Sequence, residues 1–134
     1  MKNDILVSLK GVTKKYGTVT AADNVDLTVT RGEFLVLLGP SGSGKTTILS
    51  MMGGFTMPTS GQIIIDGEDV TETPPALRPT VTVFQDYALF PHMSVRENVS
   101  FGLAMQKVPK AARYKRAEEC IETVGLTGYG DRGI

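Results

Sequence analysis

The run Gly39-Pro40-Ser41-Gly42-Ser43-Gly44-Lys45-Thr46 meets every defined position of G-x-x-x-x-G-K-[ST], a loop that cradles phosphates. Few local patterns restrict a fold so tightly, because the loop works between a strand that delivers it and a helix that leaves it. Both neighbours are legible. Glu33-Phe34-Leu35-Val36-Leu37-Leu38 is an apolar run of strand length, and Thr46-Thr47-Ile48-Leu49-Ser50-Met51-Met52 can continue as a helix. Three glycines open dihedrals closed to other residues, so backbone N–H groups can converge on anionic oxygens. A helix starting near Gly44 adds its free N-terminal donors and the positive end of its dipole. Lys45 suits the β- and γ-phosphates as a compact point charge, and the Thr46 hydroxyl suits Mg²⁺. The expectation is a chain that binds a nucleoside triphosphate.

At 134 residues the chain has the size of one domain, able to bury roughly two-thirds of its unfolded surface. Fourteen basic and fourteen acidic residues cancel, which argues against a large cationic field for nucleic acid or an anionic membrane. The longest apolar runs are far too short to span a bilayer. Met1-Lys2-Asn3-Asp4 leads into a strand-like run without the apolar core of a signal peptide, so a cytosolic location is expected. Cys120 is the single cysteine, which rules out an intrachain disulfide.

Taken in order, Ile5 to Leu9 reads as a first strand, Lys14 to Gly17 as a turn, and Ala21 to Val29 as a second strand. Gly53-Gly54 should end the helix behind the loop, and Pro58 to Gly61 form a connection. Gln62 to Ile65 reads as a strand that turns at Asp66-Gly67, and Thr80-Val81-Thr82-Val83-Phe84 as a β-branched strand ending at Gln85. Ile63-Ile64-Ile65-Asp66 imitates an apolar strand with a Mg²⁺-holding Asp. Only sixteen residues separate Thr46 from Ile63, hardly room for a helix, a crossover and a core strand, so the hairpin turn is preferred. Ser94-Val95-Arg96-Glu97 is a capping box ahead of Val99, Phe101 and Leu103. Pro109 suits the first turn of a last helix with Ala117, Cys120, Ile121 and Val124 as its packed apolar stripe and Gly125 as its cap.

With these residues in place, nearly the whole chain resembles the first part of an ABC-transporter ATPase subunit. Leu35 to Thr47 is similar to that family's phosphate loop and its flanks, Pro58-Thr59-Ser60-Gly61-Gln62-Ile63 to its P-x-x-G-x-h segment, and Val83 to His92 to the Q-loop of importer ATPases for polyamines, iron or sugars. The resemblance implies an α/β fold: a P-loop core (about 33–60 and 78–93) with an incomplete parallel sheet. It adds an N-terminal antiparallel β-subdomain (about 1–32 and 61–77) and the start of a helical subdomain (94–134). ATP with Mg²⁺ is the implied ligand, held by Gly39, Pro40, Ser41, Gly42, Ser43, Gly44, Lys45, Thr46 and Thr47, with Thr46 and Gln85 on the metal side. Lys45 and Gln85 are the implied catalytic residues.

By the same resemblance Tyr16 stacks on adenine, and Ala21 lies beside the base or ribose. A half-buried turn aromatic is the other reading of Tyr16. Tyr87, Leu89, Phe90 and Met93 fall where family members receive a membrane subunit; alternatively they complete the chain's own core. The implied partners are transmembrane permease subunits and a second ATPase subunit, with no nucleic acid, at the cytoplasmic side of the membrane. The sequence holds no S-G-G-Q, no second apolar strand ending Asp-Glu and no switch histidine. On this reading the chain stops short of those elements and is inactive alone. A nucleotide-binding module without turnover, and an ABC-type ATPase outside transport, are the competing expectations.

Overall fold

In the computed structural model, which describes residues 4–134, the chain divides into two units, one ending at Thr82 and the other running from Val83 to Ile134. Met1 to Asn3, part of the expected N-terminal β-subdomain, lie outside the described residues.

The first unit is built on a four-stranded antiparallel sheet in the order β2-β1-β3-β4. Strand β1 (Ile5–Tyr16) and β2 (Val19–Thr30) form a long hairpin, with Val7 opposite Val29, Leu9 opposite Leu27 and Val12 opposite Val25. The β1 strand runs through Lys14, Lys15 and Tyr16, so the turn expected there begins only at Gly17. Apolar residues on both strands keep pairing beyond Leu9, and that outweighs the local turn composition. Between Leu9 and Val12 the register shifts, and the Gly11 N–H donates to Asp26 Oδ1 at 2.8 Å. This bulge returns Val12 to the buried side although it stands three residues after Leu9.

Strand β3 (Ser60–Ile65) lies on the other side of β1, Ile63 against Leu9 and Ile65 against Val7. It turns into β4 (Glu68–Asp69) through Asp66 (φ 51°) and Gly67 (φ 82°). Two positive φ values make a type I′ turn, as Asp-Gly predicts. The Asp66 carboxylate accepts from Arg31 Nη2 at 2.6 Å. Helix α1 (Lys45–Gly53) supplies the other layer of the core, where Met51 packs with Leu9, Val12, Ile63, Ile65 and Val70. Fully burying each such side chain contributes about 1.5–3 kcal/mol.

Two expected strands do not form. Residues 33–38 and 80–84 lie outside every strand, with Leu38 95% and Val81 96% exposed. A near-continuous apolar strand is stable only where neighbours pair its backbone and cover both faces. Among the described residues every ladder is antiparallel, and no parallel neighbour pairs with either run.

The second unit packs α2 (Val95–Met105) against α3 (Lys110–Thr123). The capping box is complete: Ser94 Oγ accepts from Glu97 N at 3.3 Å, and Ser94 N donates to Glu97 Oε2 at 2.8 Å. Pro109 sits one position before α3, at its cap, and Gly125 follows the helix with φ 77°. On α3 the buried residues are Ala117 and Ile121. Cys120 and Val124, expected in that stripe, are exposed. At 100° per residue Cys120 falls well behind Ile121, and Val124 lies past the last helical residue. Arg96 joins α2 to α3 and the following segment through Glu118 and Asp131.

Candidate phosphate-binding site

The loop follows the mostly exposed run 33–38 and leads into α1, whose C-terminal end packs in the core of the first unit. Glu33 ends the turn after β2 by accepting from Thr30 N at 2.7 Å and Thr30 Oγ1 at 2.9 Å. Those donors hold its carboxyl below the ordinary carboxylate range. Gly44 is the residue from which α1 starts, at φ 91°. A Cβ there would collide with the Ala21 carbonyl oxygen, so loop and hairpin touch at a point where only glycine fits. No side chain caps α1. Its first-turn N–H groups are therefore open to an external acceptor, and no acidic residue in that turn opposes an anion.

Lys45 folds back over the loop. Its Nζ donates to the carbonyls of Gly39 (2.7 Å) and Pro40 (2.6 Å) and to Ser43 Oγ (3.0 Å). The ammonium therefore stands in the loop's concavity. Ser41 to Thr47 line a cavity of about 400 Å³ together with Val19, Thr20 and Ala21. Eight of the expected residues thus meet in one place: Ala21, Ser41, Gly42, Ser43, Gly44, Lys45, Thr46 and Thr47. Gly39 and Pro40 take part through the carbonyls that anchor Lys45.

Tyr16 does not line the cavity, although Val19, opposite it in the hairpin, does. The residue is 52% exposed, with Lys14 Nζ 4.9 Å from its ring centre. A triphosphate tail with Mg²⁺ fits the donor set: open amides, one ammonium and the exposed Thr46 hydroxyl. The described residues contain no group of three or more His, Cys, Asp or Glu able to hold a metal. A magnesium ion here would rest on Thr46 and on the nucleotide's own oxygens, which suits an ion that keeps several waters.

In the second unit, Gln85 opens the turn Gln85–Ala88, where Tyr87 and Ala88 both have positive φ. Tyr87 and Leu89 are exposed. Phe90 stacks 4.4 Å from the Phe101 ring, centre to centre, and Met93 is half-buried. Sequence reasoning missed Asn98, which organises this stretch. Its side chain accepts from Phe90 N at 2.8 Å and donates to the carbonyls of Phe90 (3.1 Å), Met93 (3.2 Å) and Ser94 (3.0 Å). It missed Arg78 as well, a buried cation in the first unit. Asn98 acts locally, on the turn just ahead of α2, whereas Arg78 carries no local signal, since the Met51 and Met52 carbonyls are brought to it by the fold.

The ABC transporter family's sequence profile matches residues 22–134. The Fe(3+) ions import ATP-binding protein FbpC of Pasteurella multocida (strain Pm70) is 55% identical, covering 98% of this chain. The spermidine/putrescine import ATP-binding protein PotA of Nitrosomonas eutropha (strain DSM 101675 / C91 / Nm57) is 53% identical, covering 95%. The chain spans 38% and 35% of the lengths of these relatives. The dimeric structure of MJ0796, a bacterial ABC transporter cassette, superposes with a TM-score of 0.81 at 32% identity. That match covers 96% of this chain and 61% of the cassette. A phosphate loop seated on an antiparallel hairpin, matched in sequence and in fold by such cassettes, places this chain in the ABC transporter family.

Proposed function

We propose that the chain binds MgATP at the Gly39–Thr47 loop and, as part of a longer ATPase subunit, serves solute import driven by ATP hydrolysis. The observation that carries the reading is the convergence of Lys45 Nζ and the uncapped start of α1 on one cavity closed by Ala21. Open amides and an ammonium in one concavity select polyphosphates over single charges. The relatives' names support iron or polyamine import as the class of process.

In this reading Thr46 ligates Mg²⁺, Gln85 faces the metal or the attacking water, and Tyr16 stacks on adenine from the end of the hairpin. The exposed Tyr87 and Leu89, with Phe90 and Met93, receive a membrane-embedded permease subunit at the cytoplasmic face. A second ATPase subunit completes the γ-phosphate contacts. No described helix is long and apolar enough to cross a membrane, in keeping with a peripheral role. Phosphoryl transfer needs a positioned water and neutralised γ-oxygens. The 134 residues hold no Asp-Glu pair at the end of an apolar strand, so this polypeptide alone turns over ATP at background rate.

Isothermal titration with MgATP tests the core of the reading. Heat is expected from the wild-type chain, and the same titration on a folded Lys45→Ala variant should show weaker binding. No heat from any triphosphate on folded wild-type protein would remove it.

A further inference from the structure

Arg78 is 5% exposed, and its guanidinium is spent on backbone carbonyls. Nε donates to Thr73 O (2.7 Å), Nη1 to Met51 O (2.7 Å) and Met52 O (3.1 Å), and Nη2 to Thr71 O (3.2 Å). A buried cation without a carboxylate is expensive unless fixed dipoles take its place. Here the last-turn carbonyls of α1 do so, at the negative end of the helix. Gly54 is shaped to the contact: at φ 81°, a Cβ would lie 2.6 Å from Arg78 Nε.

Helix α1 abuts the Ala21 carbonyl at Gly44 and rests Ile48 partly buried on the core, and Arg78 fixes its other end. Its buried residues are Met51 and Gly53, both at the C-terminal end, while no residue from Lys45 to Leu49 is buried. Nine residues make a rod of about 13 Å, too short to bend appreciably. A tilt allowed at one end therefore shows at the other, where the open amides and Lys45 define the phosphate cavity. Burial lowers the proton affinity of Arg78, yet a guanidinium remains charged.

We propose that Arg78 is a positioning residue for the phosphate loop: by clamping the C-terminus of α1 to the Thr71–Thr73 segment, it sets where the helix's first amides and Lys45 point. The proposal rests on the ATP-binding reading. Coupling between two sites is reciprocal, so a triphosphate held at the start of α1 must tighten the clamp at its end by the same factor.

The test uses the full chain. Exchange of the Arg78 Nε–H, followed by NMR, should slow about five- to tenfold on saturation with MgATP. Arg78→Lys keeps the charge and loses the fork, and should raise the Kd of MgATP and of tripolyphosphate by that same factor. Bound ATP slows exchange through global unfolding for every buried group, so the Nε–H is compared with core amides of β1 and β3. A residue that only stabilises the fold would slow no more than they do and leave both Kd values unchanged. Nε–H exchange slowed no more than those amides overturns the proposal, as does a folded Arg78→Lys variant that binds as tightly as wild type. If that variant does not fold, exchange in the wild type decides. A wild-type chain that takes no triphosphate overturns the binding reading and the proposal together; one that binds with Arg78 unmoved overturns the proposal alone.

Discussion

Lys45 and Gly44 divide the work of the loop between charge and shape. Lys45→Ala removes the ammonium that three loop oxygens hold in the concavity. Loss of its charged hydrogen bonds, about 1.5–3 kcal/mol, corresponds to a roughly ten- to hundredfold weaker ATP affinity. Calorimetry on both proteins measures it, and equal affinities would contradict the assignment. Gly44→Ala acts through the backbone instead. Its φ of 91°, and the Ala21 oxygen standing where a methyl group would go, leave no relaxed position for the side chain. Left-handed backbone alone costs an alanine about 1–2 kcal/mol, so urea unfolding of the first unit should lose at least that. A midpoint at the wild-type value would mean that the loop and hairpin are not in contact. Tyr16 does not line the cavity, and unlike Gly39 and Pro40 it has no bond to Lys45 that ties it to the loop. Tyr16→Ala should weaken adenine nucleotides while sparing tripolyphosphate; equal losses for both would remove stacking from the account.

Several elements whose ends are written in local chemistry formed where the residues said they would, although the turn expected at Lys14–Gly17 did not. The Ser94–Glu97 box, the Asp66-Gly67 turn and the Gly54 stop behind α1 each depend on a few consecutive residues. Ser94→Ala should destabilise α2 by about 1 kcal/mol, read as faster amide exchange in its first turn. The box also carries a pH dependence. Backbone and hydroxyl donors of Ser94 hold the Glu97 carboxyl below its ordinary value of 4.5. A depressed carboxyl binds fewer protons folded than unfolded, so its stabilisation is complete above 4.5 and is lost as pH falls through the folded value. Unfolding followed from about pH 7 downward should show that loss in wild type and not in Glu97→Gln. The α3 stripe was less legible. Apolar composition cannot tell which of Ala117, Cys120, Ile121 and Val124 faces α2, and only Ala117 and Ile121 do so closely enough to be buried.

For the molecule as a whole, the exposed extended runs matter most. Val81 at 96% and Leu38 at 95% exposure leave apolar side chains in water, which favours self-association. Val81→Asp should change stability by less than about 0.5 kcal/mol and reduce light scattering at high protein concentration. A large loss of stability would show that this run is packed. Reading residues alone was enough for several features closed within a short stretch: the helix that leaves the glycine loop, its Gly54 stop, the Ser94–Glu97 cap and the Asp66-Gly67 turn. Their partners are backbone atoms next door, so no distant contact is needed to specify them. Long-range contacts settled much of the rest. They moved Gly44 against Ala21, set Arg78 on the end of α1, and left two strand-like runs without ladders. In each case the outcome depends on whether a surface from elsewhere in the chain arrives to pair or cover it, and neighbouring residues carry no record of that.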